Sequence, residues 1–172
     1  MKASLALFFA LAFTFFGLAP SQQENSSWQE YTYRGDGFAI KAPTAPKPQL
    51  SPALPGATAY PMQLKYDKAF VVVSVKPTPN CSTLLALYRR TLVRGYDPDV
   101  DPSSLRDITL SDHSGIEYKR ETHVNTEMER LYCTDTRLYA LSVVWLSSAS
   151  MPKTATRIVE SFRLLTKTEQ QH

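Results

Sequence analysis

Four short segments with alternating side chains, Leu105–Leu110, Ile116–Val124, Met128–Thr134 and Arg137–Leu146, follow one another with only brief turns between them. A period of two puts successive side chains on opposite faces of a pleated strand, and short turns join only antiparallel neighbours. Ser111-Asp112-His113-Ser114-Gly115, Asn125-Thr126-Glu127 and Asp135-Thr136 have the composition of such turns. The run therefore predicts an antiparallel meander. In its last member Tyr139, Leu141, Val143 and Trp145 share one face, which is expected to be core.

More strands precede it. Trp28–Tyr33 and Phe38–Lys41 are aromatic-rich and flank Arg34-Gly35-Asp36-Gly37, whose glycines suit a hairpin turn, with Phe38 and Ile40 facing inward. From Ala42 to Pro61 the chain carries Pro43, Pro46, Pro48, Pro52, Pro55 and Pro61, which remove ladder donors, so this stretch is expected to be largely loop. Met62–Tyr66 and Ala69–Lys76 read as two further strands. The second holds Phe70-Val71-Val72-Val73, apolar on both faces, which predicts a central strand covered on both sides.

Two helices are expected. Asn80 or Ser82 can cap the first, which runs to about Arg94 and stops at Gly95, with Leu84, Leu85, Tyr88 and Leu92 as its buried stripe. Arg90 and Arg94 point away from that stripe and Arg89 lies at its edge, a solvated arrangement that needs no ligand. Ser150 can cap the second, Pro152 suits its first turn, and Ala155, Ile158, Val159 and Phe162 form one apolar stripe. Asp97–Ser104, with two prolines, reads as a loop. The expected fold class is α+β: one globular domain over 28–165, an antiparallel sheet flanked by two main helices, followed by a polar tail at 166–172.

The N-terminus suggests an address. Lys2 precedes an uncharged run from Leu5 to Phe16, broken by Thr14, and then Gly17-Leu18-Ala19-Pro20-Ser21. That order of charged, apolar and small residues is the pattern of a secretory signal peptide at 1–21, cut near Ser21 and followed by a polar, flexible lead-in at 22–27. An uncleaved anchor is the alternative, although the run falls short of the roughly 20 residues a spanning helix needs. The mature form is expected to be secreted or periplasmic and not membrane-spanning. In an oxidising compartment Cys81 and Cys133 are disulfide candidates, with two separate buried thiols as the other reading. The chain holds 19 Lys plus Arg against 16 Asp plus Glu, spread without a basic stripe, so no nucleic-acid partner is expected.

Several motifs carry chemistry elsewhere. Arg34-Gly35-Asp36 matches an adhesion tripeptide, yet turn formation already accounts for its glycine and aspartate. Asp97, Asp99 and Asp101 resemble the start of a calcium loop, but Pro102 and Ile108 stand where that loop needs glycine and glutamate. His113 sits in a turn, and His123 alternates with Glu117, Lys119 and Glu121, which reads as a solvated strand face. Neither a nucleophile elbow nor a phosphate loop is present, and no catalytic, metal or cofactor-binding residue is singled out. Asn25-Ser26-Ser27 is a glycosylation sequon in a eukaryotic secretory pathway.

Gly37-Phe38-Ala39-Ile40-Lys41-Ala42-Pro43, Arg137-Leu138-Tyr139-Ala140-Leu141-Ser142-Val143 and Ile158-Val159-Glu160-Ser161-Phe162-Arg163-Leu164 resemble segments of the PsbP/DcrB-like group of exported domains. The resemblance implies an antiparallel sheet flanked by helices and a binding or assembly role. An exported noncatalytic domain with a protein partner and no cofactor is the expectation. A small-ligand or metal-binding periplasmic protein and a hydrolase are the alternatives.

Overall fold

The computed structural model describes residues 28–171. The leader at 1–21, the lead-in at 22–27 with its Asn25 sequon, and His172 lie outside the described residues. A seven-stranded antiparallel sheet dominates, in the order β3 (Gln49–Leu50), β4 (Thr58–Leu64), β5 (Ala69–Pro77), β9 (Arg137–Leu146), β8 (Asn125–Cys133), β7 (His113–Glu121) and β6 (Val100–Leu110). The expected meander is its β6 to β9 half. A second sheet sets β2 (Phe38–Ala42) between β1 (Gln29–Tyr33) and β10 (Arg163–Leu164).

The large sheet is apolar on both faces, so two cores form. On one face Val71, Val73, Leu141 and Val143 pack against Phe38 and Ile40 of the small sheet and against Ile158 and Phe162. Ala155, Ile158 and Val159 belong to α2 (Lys153–Glu160), and Phe162 follows it. On the other face Ile116, Leu131 and Leu138 meet Cys81, Leu85 and Leu92 of α1 (Cys81–Val93). Two main helices on opposite faces are therefore only part of the architecture: α1 covers one face, while the small sheet together with α2 covers the other. Trp28 is fixed by Arg157, whose guanidinium lies 4.0 Å from the ring centroid.

Local departures from expectation have local causes. Strand β4 starts at Thr58 and passes through Pro61, inside the stretch expected to be loop, and β3 pairs with its first two residues. Beyond Ala59 the outer side of β4 is a sheet edge, where a missing proline donor is tolerated. Strand β6 starts at Val100, ahead of the expected Leu105, because Val100 and Asp101 pair with Arg120 and Lys119 before the register shifts, leaving Pro102–Leu105 as a bulge. Asn80 occupies the α1 cap position in the left-handed region, φ 57°, and its side chain makes no capping bond; Ser82 lies inside the helix. Pro152, with ψ 142°, sits just outside α2 rather than in its first turn, and its carbonyl accepts from Thr156 N–H at 3.0 Å. Ser150 does not cap it.

The polar residues after Leu165 form a short helix, α3 (Lys167–Gln171). Thr166 and Glu169 make a reciprocal capping box: Thr166 N–H donates to Glu169 Oε2 at 2.9 Å, and Glu169 N–H donates to Thr166 Oγ1 at 3.3 Å. Glu169 also holds Arg163, which reaches Glu30 of β1 at 2.9 Å.

Candidate functional site

The hairpin tip is exposed at Arg34 and Gly35 but tied down through Gly35 and Asp36. Tyr60 donates its hydroxyl to the Asp36 carboxylate, Tyr139 donates to the Asp36 carbonyl at 2.9 Å, and Arg137 donates to the Gly35 carbonyl at 2.9 Å. The tripeptide thus serves the turn. The aspartate run is likewise engaged: Asp97 accepts two bonds from Arg120, at 3.0 and 3.2 Å, and Asp101 accepts from Ser103 N–H at 2.9 Å. Among the described residues no three His, Cys, Asp or Glu side chains converge as a metal site would need.

Cys81 and Cys133 form a disulfide that joins the first residue of α1 to the last of β8, with Cα atoms 5.5 Å apart. Beside it a groove of about 720 Å³ opens between α1, the β6–β7 turn and the β8–β9 turn. Arg89 and Asp107 form an ion pair along it, and Asp112, His113 and Asp135 stand around it. Hydrolysis by a serine needs a base that takes the hydroxyl proton. Among the described residues no hydroxyl is hydrogen-bonded to His113, and what the groove offers is concavity and charge. His123 is exposed in the turn after β7. Its expected companion Glu117 is buried instead, bonded to Arg106 at 2.5 Å and Arg130 at 2.6 Å on the face opposite α1.

The most distinctive surface lies on the helical face of the large sheet. Helix α1 rests on β6, β7 and β8, and Leu54 packs near its edge. Register then aligns two rows across the sheet. One row runs Pro61, Val72, Ser142, Glu129, Tyr118; the next runs Gln63, Phe70, Val144, Glu127, Arg120. Phe70, Val72 and Val144 each remain partly exposed on that face, on β5 and β9, whereas α1 rests chiefly on β6, β7 and β8. Strand β5 is central as expected, but it is covered fully only on the face of Val71 and Val73.

Each row carries one carboxylate on β8, beside its last member on β7. Tyr118 donates its hydroxyl to Glu129 Oε2. Arg120 bonds Glu127 at 2.7 Å and Asp97 at 3.0 Å, and its guanidinium lies 5.8 Å from the Tyr118 ring centroid. One guanidinium therefore serves two carboxylates, while Glu129 has only a phenol. Burial, reinforced by the Glu127 charge and opposed by the Tyr118 bond and Arg120, pushes the Glu129 carboxyl up to about 7. Burial beside the same carboxylate raises Tyr118 and keeps it a donor. Sequence reasoning misses this cluster, because Glu127 reads as the end of a turn, although β8 begins at Asn125, and Glu129 alternates with Met128 and Arg130 in the manner of any solvated strand face. Only the register places them beside Tyr118 and Arg120.

Neither a family model nor a curated protein matches the chain. Solved structures do. The solution structure of cyanobacterial PsbP, CyanoP, from Synechocystis sp. PCC 6803 superposes with a TM-score of 0.55 at 10% identity, covering 85% of this chain and 97% of that one. The fold is PsbP-like. A crystal structure from Bacteroides thetaiotaomicron VPI-5482 matches with a TM-score of 0.52 at 12% identity, covering 81% of this chain but 49% of that one. The chain thus spans about half the length of the Bacteroides protein. At these identities the PsbP-like architecture is what is shared, and the Phe70–Glu129 surface is described for this chain alone.

Proposed function

We propose that this chain is an exported, noncatalytic binding or assembly domain that engages a protein partner. The observation that carries this reading is the apolar strip of Phe70, Val72 and Val144, which among the described residues stays partly exposed on an otherwise packed sheet. An apolar face that its own domain does not bury favours a partner that does. The signal-like segment at 1–21, the Cys81–Cys133 disulfide and the PsbP-like fold support export and a binding role. The test is affinity capture from the native exported fraction with wild type and Val72→Asp as parallel baits. Wild type is expected to retain a stoichiometric partner and Val72→Asp to lose it while keeping its circular dichroism and disulfide. Equal retention by both baits, or no partner for either, refutes the reading. Intact mass of the native protein checks cleavage near Ser21.

The groove beside the disulfide supports a second reading, a small-ligand-binding protein. Its 720 Å³ falls within the size range of ligand pockets. Native mass spectrometry of protein from its own compartment is expected to show a discrete adduct on this reading, and a ligand-free mass removes it.

A further inference from the structure

Resting on the docking role proposed above, we infer that the strip binds an extended apolar segment carrying one lysine or arginine, whose cationic head seats against Glu127 and Glu129. The argument begins with register. Val72 lies two strands from Glu129 along one row, and Phe70 lies two strands from Glu127 along the next. At roughly 4.8 Å per strand, the apolar patch and the carboxylates are about 10 Å apart, within reach of neighbouring side chains on one segment crossing the strands.

Charge then selects the head group. The ionisable groups facing Glu129 are Tyr118 and Arg120 from β7, Glu127 from β8, Asp97 from the segment before β6, and Tyr88 from α1; β9 contributes Ser142. Among them Asp97 and Glu127 already share the one guanidinium of Arg120, and Glu129 adds a third carboxylate charge once the pH passes about 7. A partner's cation supplies the missing positive charge, while an acidic or neutral head gains nothing there. Helix α1 adds an apolar neighbour: Tyr88, packed with Leu84 against the core on this face, lies near enough to Glu129 for the carboxylate to raise the tyrosine further.

The probes are two blocked heptapeptides, Ser-Val-Leu-Lys-Leu-Val-Ser and its counterpart with norleucine in place of lysine, titrated into the oxidised protein by NMR. At pH 8 the lysine peptide is expected to shift the Val72 and Val144 methyl and Phe70 ring resonances, and to bind about tenfold more tightly than the norleucine peptide. Glu127→Gln combined with Glu129→Gln is expected to abolish that preference without disturbing the fold. Lowering the pH to 5.5, which protonates Glu129, is expected to shrink it. Equal affinities, no binding of either peptide, or shifts confined to other residues overturn the inference. A native partner lost by Val72→Asp but kept by the double glutamine variant, alongside peptides of equal affinity, refutes the cation and leaves the docking role standing. Retention of the partner by Val72→Asp refutes the docking role itself.

Discussion

At the scale of single residues, Glu129 couples the protein's stability to pH. Its carboxyl holds a proton to about pH 7 when folded and releases it near 4.5 when unfolded. A raised carboxyl contributes stability that is present below about 4.5 and lost as the pH rises through about 7, because charging the group is harder inside than out. Glu129→Gln removes this loss. The variant is expected to gain on the order of 2 kcal/mol relative to wild type at pH 8, after discounting for partial solvent screening, and little at pH 5. Urea midpoints at the two pH values measure it, and a pH-independent difference contradicts the assignment. Gly37 is the second sensitive residue. Its φ of +76° is left-handed, and a Cβ there would stand 3.0 Å from Tyr139 Oη and 3.1 Å from Arg137 Nη1. Gly37→Ala is expected to cost about 1–3 kcal/mol in chemical denaturation, since strain and crowding act together at the tip that Tyr60, Tyr139 and Arg137 hold.

At the scale of elements, α1 is held by a covalent tie as well as by packing. The disulfide closes a loop with a sequence separation of 52 residues, for which chain entropy gives about 4 kcal/mol. Reductant, or Cys81→Ala with Cys133→Ala, is expected to lower the unfolding free energy by about that amount, with the loss of protection in hydrogen exchange concentrated in α1. The regular elements are legible in the sequence where local pattern and tertiary role agree. Strand β9 combines strict alternation with flanking turns, and its bounds are those read from its residues. Helix α1 is similar, although its deepest residues are Cys81, Leu85 and Leu92, with Leu84 and Tyr88 on the flank. The bulge at Pro102–Leu105 is illegible because Pro102 and a serine pair, with Pro98 just ahead, look like a loop, and only the Arg120 and Lys119 partners reveal a strand. The capping box Thr166-x-x-Glu169 is legible in principle, but it stands in a polar segment that invites reading as tail.

At the scale of the whole molecule, a two-sided sheet predicts two comparable cores. Leu141 faces the small sheet and Leu138 faces α1, both almost fully buried. Leu141→Ala and Leu138→Ala are each expected to cost about 2–5 kcal/mol in urea denaturation. A marked asymmetry shows that one layer yields on truncation. The same architecture explains what a sequence hides about the candidate site. Apolar residues on both faces of β5 announce burial on both sides, but which layer ends short of Phe70 and Val72 depends on where α1 lands, and that is a long-range outcome. The small sheet adds a temporal consequence. Strand β2 is flanked by β1, made just before it, and by β10, made nearly last. A chain made residue by residue cannot finish this layer until Arg163 and Leu164 arrive, so the outer edge of β2 is the last part of the small sheet to pair. Closure of the small sheet is thereby tied to the arrival of a two-residue strand more than 120 positions after β2.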